Sequence, residues 1–136
     1  MKKYIFLITL LCFCLSCQDN LNELKKDDIT HIDVYYVPFD ILSPIETTQE
    51  HIKSDAHKKI INGSDIEQIY NELLLLEKVK GVGFMDAGVY LRADFYNKDK
   101  EILRLLFDKN NFKIGNNIYN ENTDLINALI KKFKAN

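Results

Sequence analysis

Residues 89–107 read Val89-Tyr90-Leu91-Arg92-Ala93-Asp94-Phe95-Tyr96-Asn97-Lys98-Asp99-Lys100-Glu101-Ile102-Leu103-Arg104-Leu105-Leu106-Phe107, and this stretch decides the fold. Val89, Leu91, Ala93 and Phe95 alternate with Tyr90, Arg92, Asp94 and Tyr96. Alternation of period two in a run rich in aromatic and apolar residues marks a strand with one face buried. The second half repeats the pattern, with Leu103, Leu105 and Phe107 alternating with Ile102, Arg104 and Leu106. Two such runs joined by a short charged segment make a hairpin. If Ala93 and Leu105 share the core face, Phe95 lies opposite Leu103, because a slip of one residue sends every side chain to the other face. This register predicts a three-residue loop, Lys98-Asp99-Lys100, and sets Asp94 opposite Arg104 on the outer face. An exposed cross-strand pair of that kind contributes at most about 1 kcal/mol.

On the N-terminal side, residues 29–39 predict a strand in which Ile32, Val34 and Tyr36 alternate with Asp33, Tyr35 and Val37, with Pro38 ending it. Residues 40–56 have poor apolar periodicity. Ser43-Pro44-Ile45-Glu46 suggests a capping box, and the rest predicts a long loop with one short helical turn. Residues 57–61 predict a short strand. Asn62-Gly63 then turns into the strongest helical pattern of the chain, in which Ile66, Ile69, Tyr70, Leu73, Leu74 and Leu76 form one stripe. Ser64 and Glu67 are spaced for a reciprocal capping box. Lys78, Lys80 and Gly81 suit the C-terminal end of that helix.

Beyond the hairpin, Asn110-Asn111 predicts a turn, 112–114 a strand, Gly115-Asn116-Asn117 a second turn and Ile118-Tyr119 a short strand. A closing helix runs from about Thr123 to Phe133, capped by Asn122 or Thr123, with Leu125, Ile126, Leu129, Ile130 and Phe133 on its buried face. The order predicts an α+β domain: a mostly antiparallel sheet of about five strands with two helices packed on one face.

The N-terminus carries a different signal. Met1-Lys2-Lys3 precedes an apolar run over 4–15 and then Ser16-Cys17. A basic start, a short apolar core and a small residue before the cut are the parts of a secretory signal. The run holds about a dozen residues, short of the roughly 20 that span a bilayer as a helix. Leu15-Ser16-Cys17 resembles the lipobox of bacterial lipoproteins, with Cys14 where that family usually has leucine. The resemblance covers only the N-terminus. It implies cleavage before Cys17, a diacylglycerol on the Cys17 thiol, palmitate-type acyl chains, and a place in the cell envelope at the outer membrane or cell surface. Ordinary secretory cleavage after Ser16 is the alternative, since Cys14 and Ser16 form a small-x-small pair. The division is then 1–16 signal peptide, 17–28 lipidated cysteine and polar tether, and 29–136 a single α+β domain. Fully extended, residues 18–28 reach roughly 35 Å.

Cleavage before Cys17 leaves 120 residues with 16 basic and 20 acidic side chains, a net charge of −4. That length buries a core without staples. The acidic balance argues against nucleic acid, which needs a clustered basic surface. Cys12 and Cys14 leave with the signal and Cys17 is consumed by the lipid, so the mature chain has neither thiol nor disulfide.

The domain offers little recognisable chemistry. Gly81-x-Gly83 with Gly88 follows a helix and precedes a strand, the reverse of a dinucleotide fingerprint. His51, Asp55 and His57 have metal-ligand chemistry, but they fall in a polar loop with no fourth ligand, so no metal and no cofactor are expected. Ser43 and Ser64 read as caps and none of the serines sits in a nucleophile elbow. The one feature that suggests binding is the outer face of the hairpin. Tyr90, Arg92, Tyr96 and Arg104 include both arginines of the chain, and Tyr and Arg are enriched at interaction hot spots. A strand face covered by the 40–56 loop would look the same. The sequence therefore favours a membrane-anchored, non-enzymatic domain that binds an envelope protein or ligand. The alternatives are a small cell-surface hydrolase using carboxylates and a structural component of an envelope complex.

Overall fold

The computed structural model describes residues 21–38, 48–50, 52–55 and 57–134. Its elements are β1 (His31–Tyr36), α1 (Ile52–Asp55), β2 (His57–Ile61), α2 (Asp65–Leu74), β3 (Lys78–Val79), β4 (Leu91–Asn97), β5 (Lys100–Phe107), β6 (Asn111–Ile114), β7 (Asn117–Asn120) and α3 (Thr123–Lys134). The fold is α+β. Among the described residues one sheet of seven strands, in the order β2-β1-β4-β5-β6-β7-β3, replaces the five or so expected. Every neighbouring pair is antiparallel.

The hairpin register follows the alternation. Ala93 pairs with Leu105, Phe95 with Leu103 and Asp94 with Arg104. The loop differs from expectation, because a bulge between Phe95 and Tyr96 sets Tyr96 opposite Glu101 and Asn97 opposite Lys100. The connection is thus two residues, Lys98-Asp99, with Lys98 at φ 56°. The register change leaves Ile102 as the extra residue of β5, which places it beside Leu103 against the core.

The main core gathers Ile32 and Val34 of β1, Leu91, Ala93 and Phe95 of β4, and Leu103, Leu105 and Phe107 of β5, with Ile66, Ile69 and Leu73 of α2 and Leu125, Ile126, Leu129 and Ile130 of α3. These are the strand positions of one parity and the helix positions of one stripe, as the periods require. Asn122 caps α3, its Oδ1 accepting from Leu125 N at 3.1 Å, while its Nδ2 donates to Glu72 Oε2 at 3.2 Å.

Several local expectations are corrected. The capping box at α2 does not form: Ser64 is in the right-handed helical region and makes no side-chain cap. Its carbonyl instead accepts from Glu67 N at 3.3 Å, and the Glu67 carboxylate pairs with Lys26 at 3.7 Å. Helix α2 ends at Leu74, and Lys78 and Val79 pair with Tyr119 and Ile118 as the edge strand β3. A sheet edge there satisfies backbone groups that a longer helix would have satisfied within itself. The turn before β6 is centred one residue early: Lys109 takes the positive φ, 82°. The buried Asp108 holds it, Oδ1 accepting from Asn110 N at 2.9 Å and Asn111 N at 2.8 Å.

Residues 21–28, expected as tether, fold onto the domain. Leu21–Glu23 and Lys26–Asp28 are 3-10 turns, and Leu21 and Leu24 are only 7% and 8% exposed within the main core. Their i, i+3 spacing amid charged neighbours gives too short an apolar pattern to register as an element. The Leu24 carbonyl accepts from the Tyr70 hydroxyl at 3.0 Å. The signal segment and Cys17, and the Ser43–Glu46 motif, lie outside the described residues. No helix among the described residues is long and apolar enough to cross a membrane.

Candidate interaction surface

The second face of the sheet carries the residues of opposite parity: Asp33 and Tyr35 on β1, Arg92, Asp94 and Tyr96 on β4, and Arg104 and Leu106 on β5. This face is not open along its length. Ile52 of α1 is fully buried and joins Tyr35, Val37, Val89 and Leu106 in a second apolar cluster, with Phe84 and Tyr90 packed against it. Residues 48–50 and Ile52 therefore cover the middle of the face, and a charged network lies beneath and beside them.

Arg92 is the centre of the network and has no exposed surface. Its Nε donates to both carboxylate oxygens of Asp94, at 2.9 and 3.1 Å, and its Nη1 donates to the Gln49 carbonyl at 2.7 Å. Asp94 is equally buried, so the expected exposed Asp94–Arg104 pair is instead part of a buried cluster. Arg104 Nε lies 3.5 Å from Asp94 Oδ1, but the better bonds of Arg104 go to Glu101, from Nε at 2.8 Å and Nη2 at 3.0 Å. Arg104 Nη1 also donates to Gln49 Oε1 at 3.2 Å, and Glu50 approaches both arginines, at 3.7 and 3.9 Å. The backbone and side chain of one residue, Gln49, thus tie the covering segment to both arginines. Among the described residues Arg92 Nη2 is the one nitrogen of that guanidinium without a hydrogen-bond acceptor.

One strand over, Asp33 stands directly opposite Asp94 in the β1–β4 register. Like charges at facing positions repel, and each carboxylate is met by its own cation. Lys58 Nζ lies 3.1 Å from Asp33 Oδ2, and Asp33 Oδ1 is buried without a hydrogen bond, 3.9 Å from His31 Nε2. The bond to Asp33 holds the Lys58 ammonium above its ordinary value. Lys58 also sits over the Tyr35 ring, 5.6 Å from its centroid.

The network opens to solvent at the end of the hairpin. The Arg104 side chain is 33% exposed. Tyr96 stacks on His31, with ring centroids 4.8 Å apart and planes 2° from parallel. Thr30 fastens this end: its hydroxyl donates to the Tyr96 carbonyl at 3.1 Å and accepts from Lys98 N at 2.8 Å. The Thr30 hydroxyl also lies 3.2 Å from His31 Nδ1. Burial, and then the Asp94 carboxylate, push the Tyr96 phenol upward, and the bonds that Arg104 donates to Glu101 hold its guanidinium above its already high value.

Of the four residues singled out from the sequence, Arg92, Arg104 and Tyr96 meet in or beside one network, and Arg104 and Tyr96 reach the surface. Tyr90 has the same parity but lies six residues from Tyr96, about 20 Å along a strand. It carries Lys109 over its ring at 4.0 Å and belongs to the second apolar cluster. Sequence reasoning missed Gln49, Glu50, Glu101 and His31. The first two fall in a segment without period, and Glu101 becomes a partner of Arg104 only through the bulge. His51 lies outside the described residues, and those residues contain no cluster of three or more His, Cys, Asp or Glu suited to a metal. Comparison with known proteins finds no matching family model, no matching curated protein and no matching solved structure.

Proposed function

We propose that this chain is a lipid-anchored envelope protein whose α+β domain is a binding module without catalytic activity. The anchor rests on the lipobox-like Leu15-Ser16-Cys17 after its short apolar run. The binding role rests on one observation: Tyr96 and Arg104 are half-buried side chains that reach the surface at the end of a network that fixes both beforehand. His31 stacks on the tyrosine at 4.8 Å, and Glu101 grips the arginine through two bonds. Side chains already ordered lose less freedom when a partner binds, which raises affinity for a given contact area. Nη1 and Nη2 of Arg104 each make one internal bond and each carries a second N–H, which suits a partner bearing carboxylate or carbonyl groups.

The hydrolase reading has its best support in the facing carboxylates Asp33 and Asp94, but Asp94 is fully buried and committed to Arg92. The binding reading is therefore preferred, and a purely structural role within an envelope complex would draw on the same surface. The test is crosslinking in native envelopes followed by capture of the wild-type chain, Arg104→Ala and Tyr96→Ala. A partner retained by the wild type and lost from both variants supports the proposal. Capture of no partner by the wild type overturns it.

A further inference from the structure

The folding of residues 21–28 onto the domain fixes how an anchored chain meets its membrane. Lys26 pairs with Glu67 and the Leu24 carbonyl with Tyr70, so the chain traced back toward Cys17 steps along α2 from its N-terminal toward its C-terminal end. Glu67, Tyr70 and Leu74 lie at i, i+3 and i+7, on one stripe of that helix. The stripe ends in two exposed leucines, Leu74 at 50% and Leu75 at 66%. Leu76 and the exposed Glu77 follow them, and then the exposed lysines 78 and 80.

The other end of α2 points to the hairpin turn. Ile29 and Thr30 line one shallow cavity together with Gly63 and Ser64, and Thr30 holds Lys98 N at 2.8 Å. Helix α2 is ten residues long, about 15 Å, so the hairpin turn beside Tyr96 lies toward one end of α2 and the exposed leucines lie at the other. Between Cys17 and Leu21 lie only Gln18, Asp19 and Asn20, a span of at most about 14 Å.

We propose that the anchored domain rests on the bilayer through the C-terminal end of α2, with Leu74 and Leu75 entering the lipid surface and the Tyr96–Arg104 surface facing away. The inference rests on lipidation of Cys17. Exposed leucines followed within a few residues by two exposed lysines suit this occupant, the leucines leaving water while the ammonium groups, with the Glu77 carboxylate, stay at the headgroup level. The consequence is functional: a partner reaches the Tyr96–Arg104 end without meeting the bilayer.

The test uses the mature acylated protein in vesicles of phosphatidylethanolamine and phosphatidylglycerol. Leu75→Cys and Asp99→Cys each introduce one free thiol for a bimane label, and doxyl lipid is the quencher. The proposal predicts quenching several-fold stronger at 75 than at 99. Equal quenching in an acylated protein that floats with the vesicles overturns the orientation while leaving the anchor intact. A label at 75 shielded from water but not quenched by lipid means that a second copy or another protein covers the leucines, which also overturns it. A protein without acyl mass that fails to float removes the anchor and the orientation together.

Discussion

Arg92→Ala tests the buried network most severely. The substitution removes a guanidinium with no exposed surface and leaves the Asp94 carboxylate, equally buried, without its two bonds at 2.9 and 3.1 Å. It also frees the Gln49 carbonyl that accepted at 2.7 Å. Removing one partner of a buried pair costs about 3–5 kcal/mol. Arg104, 3.5 Å from Asp94 Oδ1, offsets part of this, so about 3 kcal/mol is expected. Guanidinium denaturation of the unacylated Cys17→Ala chain should show the midpoint lowered by roughly 1 M with the slope unchanged. The double variant Arg92→Met with Asp94→Leu separates the pair from the desolvated charge. It removes both charges and should recover most of the loss, because an apolar replacement of a buried pair is often neutral or stabilising. A loss below about 1 kcal/mol in Arg92→Ala, the value of an exposed pair, would refute the claim that this network is buried and holds Gln49 and Glu50 in place.

Three further outcomes are expected. Ile52→Ala should destabilise the same chain by about 2–5 kcal/mol, since Ile52 is fully buried in the second cluster; a surface-like value below 0.5 kcal/mol would show that α1 does not cover the sheet. Asn122→Ala should cost about 1 kcal/mol through loss of the α3 cap, and Asn122→Ser should recover it, as read by thermal denaturation. Lys58 and Tyr96 both keep their protons more firmly in the fold than at their ordinary values of 10.5 and 10.0. The stability each adds is therefore whole below those values and is lost as pH rises through the higher folded values. Denaturation midpoints should fall above about pH 10, less steeply in Tyr96→Phe and Lys58→Met; parallel profiles in all three proteins would count against both shifts.

The alternation in 89–107 made the centre of the sheet legible, including the facing pairs Ala93–Leu105 and Asp94–Arg104, because a buried face leaves a period-two record in sequence. Burial of the other face left no such record. It depends on Gln49 and Ile52, in a segment with no period of its own, and a buried arginine between polar neighbours reads like an exposed one. Edge strand β3 was hidden for a related reason: two residues, Lys78 and Val79, are too few to show alternation, and their lysine fits a helix terminus equally well. Leu21 and Leu24 were lost among charges. Of the candidate surface, the sequence marked Tyr96 and Arg104, while the network that orders them depends on the bulge and on residues distant in the chain.

The central claim is an anchored binding domain, and its most direct test is cell fractionation with intact-mass measurement of the wild-type chain beside Cys17→Ala. The account predicts a membrane-bound wild type that begins at Cys17 and carries acyl mass, and a variant that lacks both. A wild type that is soluble and unacylated would contradict it.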